Sequence, residues 1–249
     1  MKDQIIYGRN IVLEELEKKR VHKIFLQKGK QDGSLRKIIG KAKAQGIIIQ
    51  NVNKEKLDSF SEGGNHQGVC AYVSDFSYST FEEVFNHLEK REEEPFFVLL
   101  DGIEDPHNLG AIIRSAHQAG ANGVILPKRR SAQVTSTVYK TSAGAVSHIP
   151  IIQVTNLSQT VMKLKEKGLW IFGTDMGGDP YYRTNLTGPL GIVIGNEGKG
   201  IGKGLKKHLD GILSIPMVGQ LDSLNASCAA SIVFFEVLKQ KHEKTKTLL

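Results

Sequence analysis

Continuous apolar strands alternating with helical patterns predict an α/β fold on a parallel sheet, preceded by a smaller α/β module. Phe96-Phe97-Val98-Leu99-Leu100, Val124-Ile125-Leu126 and Ile192-Val193-Ile194 are unbroken apolar runs, as expected of strands covered on both faces. Helical patterns fill the intervals between them, as in layered α/β domains. The chain has 249 residues, 40% hydrophobic and 24% charged, which suits one or two globular domains.

In the first block, Ile11, Val12, Leu13 and Leu16 predict a helix after Gly8-Arg9-Asn10. His22 to Gln27 reads as a strand, Leu35 to Gln45 as a helix stopped by Gly46, then Ile47-Ile48-Ile49 and Gly68 to Ser74 as strands. In the second block, Phe96 to Leu100 is a strand ending in Asp101, and Asn108 can cap a helix running to Gly120. Val124–Leu126, Ile149–Val154, Leu169–Thr174 and Ile192–Ile194 follow as strands. Helices are expected over Leu157–Lys167, capped by Asn156, and from about Asn225 to Lys239.

Charge divides the chain. It carries 33 Lys+Arg against 26 Asp+Glu, a net +7; residues 1–75 hold +5, residues 76–95 hold −4 and residues 96–249 hold +6. The acidic stretch 76–95 reads as a solvated linker, helical in part from Thr80 to Lys90. The domains expected are therefore 1–75, a linker at 76–95, and 96–249. A basic surface attracts polyanions, nucleic acid first among them.

No apolar run approaches the roughly 20 residues that span a bilayer, and Met1-Lys2-Asp3-Gln4 leads into no signal-peptide core. Cys70 and Cys228 are the only cysteines, too few for a disulfide framework or a zinc cluster. The expectation is a cytoplasmic protein with no membrane partner and no metal.

Three segments carry the chemistry: Asp101 to Gly110 with Arg114; Ile194-Gly195-Asn196-Glu197-Gly198-Lys199-Gly200; and Ile215-Pro216-Met217 followed by Leu221 to Ser227. Each follows a strand and leads into a helix, where open α/β sheets bind ligands. The run Gly198 to Gly204 is neither a dinucleotide fingerprint nor a P-loop, since Lys199 is followed by Gly200. This sets a dehydrogenase aside. There is no nucleophile elbow either.

Asp105-Pro106-His107-Asn108-Leu109-Gly110 with Arg114, Ile194 to Gly198, and Ile215-Pro216-Met217 with Ser223-Leu224-Asn225-Ala226-Ser227 resemble the three motifs of the SpoU/TrmH methyltransferases of the SPOUT class. Tyr7-Gly8-Arg9-Asn10 and His66-Gln67-Gly68-Val69 look like the ends of that family's small substrate-binding domain, of a kind found among ribosomal proteins. Pro127-Lys128-Arg129-Arg130 and Thr141 to Ala145 resemble its rRNA-directed branch. Two departures, Asn196 and Cys228, stand where close relatives often carry Ser and Val.

The resemblance implies S-adenosylmethionine as methyl donor and the 2′-hydroxyl of a guanosine in 23S rRNA as acceptor. It also implies a C-terminal deep trefoil knot and a homodimer through the catalytic domain. Gly195, Ile215 and Leu224 would contact the cofactor, largely through backbone, with Thr174 as neighbour. Arg114 is the motif arginine linked to the target phosphate and to activation of the hydroxyl. A guanidinium of pKa about 12.5–13.8 is a poor base but a good phosphate clamp.

Asn108 either holds that phosphate or caps its helix. Glu197 binds Arg114, binds substrate or satisfies its own loop. Ser223 and Asn225 line the pocket or cap the last helix. Lys128, Arg129 and Arg130 are phosphate contacts or a solvated run. Arg9, Lys28 and Lys30 are candidate RNA-backbone contacts. His107 beside Pro106 reads as structural, and Cys228 as a small packed helix residue. The alternatives are a tRNA ribose methyltransferase and a non-catalytic RNA-binding protein on the same fold.

Overall fold

A computed structural model describes residues 4–18, 20–29, 32–45, 47–73, 76–220 and 223–247. The expectations placed on Lys30, Gly46, Ser74, Leu221 and Asp222 therefore lie outside the described residues. Chain contacts divide the molecule into two compact units. The first comprises Met1–Ser77 and Val134–Ser147; the second comprises Tyr78–Gln133 and His148–Leu249.

The first unit runs β1 (Gln4–Tyr7), α1 (Arg9–Glu17), β2 (Val21–Gln27), α2 (Gly33–Ala44), β3 (Ile48–Val52), α3 (Lys54–Phe60) and β4 (Val69–Val73). Its four-stranded sheet has the order β1-β4-β2-β3. The β1–β4 and β2–β4 pairs are antiparallel, whereas β2–β3 is parallel. Asp32 caps α2 by accepting from the Leu35 N–H. Phe25, Phe60 and Tyr72 stack at centroid distances of 4.7–6.0 Å around buried Leu57 and Cys70.

The second unit opens with α4 (Phe81–Arg91), followed by β5 (Phe96–Asp101), α5 (Pro106–Gln118) and β6 (Gly123–Pro127). The short helix α6 (Ser136–Thr141) and the turn Ala145–Ser147 belong to the first unit. The chain then completes the second unit with β7 (Ile151–Val154), α7 (Leu157–Glu166), β8 (Trp170–Pro180), β9 (Leu190–Gly195), α8 (Lys203–Lys206), β10 (Gly211–Ser214) and α9 (Ala226–Thr247).

The acidic stretch is no plain solvated linker. Its helix α4 carries a capping box, with Thr80 and Glu83 each accepting from the other's backbone N–H. The apolar face of α4 is buried: Val84 and Leu88 join Phe97, Leu99, Val161 and Val193 in the second unit's core. The glutamates occupy the solvent face, which explains a charge run on a packed helix.

The sheet of this unit has the order β10-β8-β9-β5-β6-β7, every pair parallel. β5 and β9 are buried almost throughout, as their apolar runs require. Because all strands are parallel, their carboxyl ends share one edge. The strand order reverses between β5 and β9, the crevice where such sheets bind ligands. In register, Asp101 lies opposite Gly195 and Thr174 opposite Ile194.

β8 departs from regularity where it meets β10. Ile212 pairs with Gly173, but Leu213 pairs with Asp179, so Thr174 to Gly178 loop out of the ladder. Gly178 passes so close to β10 that a Cβ would lie 2.2 Å from the Ile212 carbonyl oxygen. Such bulges re-aim side chains next to functional sites. Here the bulge turns Thr174, Asp175 and Met176 toward a cavity.

Candidate active site

The site is assembled from the turns beyond β5, β8, β9 and β10. The β9 turn is a closed hairpin: Asn196 and Gly200 exchange backbone hydrogen bonds at 3.1 and 2.8 Å. The Asn196 carboxamide oxygen accepts from the N–H groups of Gly198 and Lys199, at 3.0 and 3.3 Å. Its Nδ2 donates to the Gly102 carbonyl at 2.7 Å, tying this turn to the one after β5. A serine hydroxyl, being shorter, cannot span both directions at once. The asparagine therefore accounts for itself structurally.

Two carboxylates fix the same turn from neighbouring strands. Asp101 Oδ2 accepts from the Gly202 N–H at 2.8 Å. Asp175 lies 2.5 Å from the Lys206 ammonium. Burial pushes the Asp175 carboxyl up, but bonds from Lys206 and from the N–H groups of Met176 and Ile201 outweigh it and hold the group below its usual range.

Under this clasp lies a cavity of about 340 Å³, within the range of small-molecule sites. Thr174, Gly195, Ile215 and Leu224, the four expected cofactor contacts, all line it. Glu197, Ser223, Met176 and Met217 complete its mouth. Thr174 turns its hydroxyl to the Val193 carbonyl at 3.2 Å. Gly195 admits no side chain, since a Cβ there would lie 2.4 Å from the Gly200 carbonyl carbon. Among the described residues, the backbone of Met217 and Leu224 makes no hydrogen bond within the protein. Apolar walls, free peptide groups and a lining with both carboxylates (Asp175, Glu197) and ammonium groups (Lys199, Lys206) fit a flat ligand that carries charges of both signs, such as S-adenosylmethionine.

Glu197 also belongs to a polar cluster beside the cavity. Its Oε1 accepts from Asn108 Nδ2 and, at 3.1 Å, from Asn225 Nδ2. The Asn225 amide also reaches Asn108 Oδ1 at 3.0 Å. Residues from all three sequence segments thus meet at one point. Asn225 also caps α9, its Oδ1 accepting from the Ser227 N–H at 2.9 Å; the cavity itself is lined by its neighbours Ser223, Leu224 and Ala226. Asn108 is not the cap of α5. Asp105 takes that place, accepting from the His107 N–H at 2.9 Å, with Pro106 at the first helical position. Asn108 is thereby released for Glu197.

Arg114 stands apart from this cluster. It is exposed on α5, and the Glu197 pairing considered for it goes to the two asparagines instead. Lys128, Arg129 and Arg130 are exposed at the carboxyl end of β6, on the ligand-binding edge of the sheet. Arg9 does not present a free charge: it pairs with Asp32 at 2.7 Å and donates to the Gln67 carbonyl at 3.0 Å. Cys228 is exposed rather than packed. Asp101, Asp175 and Lys206 were not expected; only the place of both aspartates at strand ends marks them in the sequence. Among the described residues, no group of three His, Cys, Asp or Glu is arranged to hold a metal. No described helix is long and apolar enough to cross a membrane.

Comparison with known proteins agrees with this geometry. Residues 95–235 match the SpoU rRNA Methylase family, and residues 5–79 match the RNA 2′-O ribose methyltransferase substrate binding family. A Bacillus subtilis protein named as a TrmH family tRNA/rRNA methyltransferase, YacO, is 42% identical over 95% of this chain and 96% of its own. A like-named Staphylococcus epidermidis protein is 43% identical over 98% of both chains. The SpoU methyltransferase AviRb from Streptomyces viridochromogenes, solved in complex with the cofactor AdoMet, shares the fold at 23% identity. Its TM-score is 0.79, covering 95% of this chain and 89% of its own. An AdoMet-bound rRNA methyltransferase from Sinorhizobium meliloti superposes with a TM-score of 0.78 at 24% identity, over 95% and 87% of the two chains. With residues 5–79 and 95–235 both matched and close relatives aligned over nearly the whole chain, the chain belongs to the SpoU/TrmH family of RNA 2′-O-ribose methyltransferases.

Proposed function

We propose that this protein methylates the 2′-hydroxyl of a guanosine ribose in 23S rRNA, with S-adenosylmethionine as donor. The observation that carries the reading is Glu197. It lines the cavity expected to hold the donor and binds Asn108 and Asn225 from the other two motifs.

When bound, S-adenosylmethionine supplies the methyl group and a thioether leaving group. The backbone of Gly195, Ile215 and Leu224, with Thr174 and the Asp175 clasp, holds it. Displacement at a methyl carbon needs in-line approach, so fixed placement of both partners lowers the barrier. Arg114, exposed and unengaged by the described residues, holds the phosphate beside the target ribose. From there its charge stabilises the oxygen as the hydroxyl gives up its proton to solvent. Asn108 and Asn225 keep Glu197 oriented, and Ser223 lies at the mouth where the ribose enters. Lys128, Arg129 and Arg130 extend the phosphate track along the sheet edge.

The reading includes a first unit that recognises RNA and a second that performs the chemistry, with the boundary within the acidic stretch 76–95. It includes a trefoil knot in the C-terminal part; the convergence of the 174–176, 196–200 and 215–217 segments on one cavity supports it. It includes cytoplasmic residence and a homodimer, for which Phe235, 48% exposed on α9, offers apolar surface. Ribose-methylation mapping of total RNA from cells with and without the gene tests the substrate. Loss of one 23S guanosine mark is the expected result. An unchanged rRNA map with a lost tRNA mark would assign the activity to tRNA.

A further inference from the structure

The first unit holds a second cavity of about 410 Å³, lined by Arg9, Asn10, Ser34, Asn65 and Gln67. It lies among residues of the first unit alone, and the methyl-transfer chemistry uses none of them. We propose that this cavity is a subsite for one unpaired nucleobase of the RNA, with the Arg9 guanidinium as stacking platform and the Asn10, Asn65 and Gln67 amides reading its edge. The proposal rests on the RNA reading above and deepens it.

Arg9 decides the chemistry. Its Nη1 donates to Asp32 Oδ1 at 2.9 Å and to Ser34 Oγ at 2.7 Å, while Nη2 lies 2.7 Å from Asp32 Oδ2. Its Nε donates to the Gln67 carbonyl at 3.0 Å. Four of the five N–H donors are thus engaged by protein groups, and Asp32 neutralises the charge. Such a guanidinium is a poor phosphate clamp, because a phosphate would have to displace a bidentate carboxylate. What remains for a ligand is the planar group itself, held in one orientation on a side chain that is 21% exposed and lines the cavity. Arginine planes of this kind stack on unpaired RNA bases.

The edge-reading groups are free. Asn10 and Asn65 are exposed, and among the described residues neither amide has a partner in the protein. The Gln67 Oε1 accepts from the Arg9 N–H at 3.0 Å, which leaves its amide nitrogen to donate outward. A carboxamide offers a donor and an acceptor side by side, the complement of a nucleobase edge. A cavity with no net charge and several amides suits a base rather than a phosphate.

The turn that presents these groups is fixed. His66 is buried; its Nδ1 accepts from the Gly68 N–H at 2.9 Å, and its Nε2 lies 3.1 Å from Asp58 Oδ1. These bonds lock the imidazole between the two positions. Gln67 adopts the left-handed region at φ 52°, and Gly8 donates to the Val69 carbonyl at 3.2 Å across the turn. A preformed site loses little ordering entropy on binding.

The test uses the full chain and fluorescence anisotropy with a labelled RNA hairpin carrying an unpaired purine loop. A fully paired duplex of the same length is the control. In the N10A/N65A double variant, hairpin affinity is expected to fall about tenfold. Duplex affinity, melting temperature and the slope of log affinity against log salt should stay unchanged, because no phosphate contact is lost. Unchanged hairpin affinity would overturn the proposal. So would an equal loss on the duplex with a shallower salt slope, which would mark phosphate contacts instead. Methyl transfer by the wild-type chain is read separately. Absent transfer with the expected hairpin loss removes the enzymatic reading and leaves the subsite standing. Normal transfer with unchanged hairpin affinity removes the subsite alone.

Discussion

Asn225 donates its amide to Asn108 Oδ1 at 3.0 Å, across 117 residues of sequence. This bond joins the capping residue of α9 to the first turn of α5, and Glu197 closes the triangle from the β9 turn. Removing the charge at its centre should therefore loosen three segments together. For Glu197→Gln we expect kcat/KM to fall tenfold to hundredfold, since hydrogen bonds to a charged group contribute about 1.5–3 kcal/mol. Asn108→Asp should do at least as much harm, because it sets a second carboxylate against Glu197. Steady-state methylation of rRNA transcripts measures both; wild-type kinetics in Glu197→Gln would show the triangle to be dispensable.

Arg114 is exposed and its guanidinium has no hydrogen bond or ion pair with another described residue, so its removal should barely touch stability. For Arg114→Ala we expect an unfolding free energy within about 0.5 kcal/mol of wild type. We also expect S-adenosylmethionine affinity within about twofold, but a fall in kcat on the order of 10²–10³-fold, as when an oxyanion-stabilising donor is lost. Arg114→Lys should not rescue, because an ammonium lacks the planar fork. Calorimetry and single-turnover methylation separate these effects; a weakened donor affinity with intact kcat would place Arg114 elsewhere.

Gly195 lies where the β9 turn folds back on the strand, with no room for a Cβ against Gly200 and Ile201. The obstacle is backbone, which cannot rotate aside. Gly195→Ala should cost about 1–3 kcal/mol of stability and weaken donor binding at least tenfold. Thermal unfolding with and without S-adenosylmethionine reports both quantities. A variant that melts and binds as wild type would contradict the close approach of these segments.

The two thiols should differ sharply in reactivity. Burial, followed by the nearby Asp58 charge, pushes Cys70 up to about 12, so the nucleophilic thiolate is scarce at neutral pH. Cys228 is exposed on α9. Iodoacetamide at pH 8 should add one label to the native chain, at Cys228, and a second only on unfolding. Mass spectrometry checks the count, and rapid labelling of Cys70 at pH 8 would contradict its burial.

Much of the second unit was legible because parallel strands buried on both faces write themselves as apolar runs. Phe96 to Leu100 and Ile192 to Ile194 were readable for that reason; the Asn156 cap was readable from its residue type before an apolar run, and it accepts from the Gln159 N–H at 3.1 Å. The outward bulge of β8 was not, because it depends on the register of β10, which approaches Gly178 from 34 residues later in the chain. Nor could residues 134–147 be assigned to the first unit, since their contacts join segments far apart in sequence. The α5 cap was ambiguous locally: Asp105 and Asn108 both carry capping side chains, and Pro106 favours the earlier one. The pairing of Arg9 with Asp32 was not legible, because the two stand 23 residues apart in sequence. The charge run at 76–95 hid a buried apolar face, Val84 and Leu88, spaced one helical turn apart.

The central claim is methyl transfer to a ribose hydroxyl at the site built around Glu197. The most direct measurement incubates the purified full chain with labelled S-adenosylmethionine and unmodified 23S rRNA, digests the RNA to nucleosides, and identifies the labelled product. The label is expected in 2′-O-methylguanosine, with salt suppressing the reaction steeply as phosphate contacts weaken. Label in a base-methylated nucleoside, or no transfer to any RNA, would contradict it.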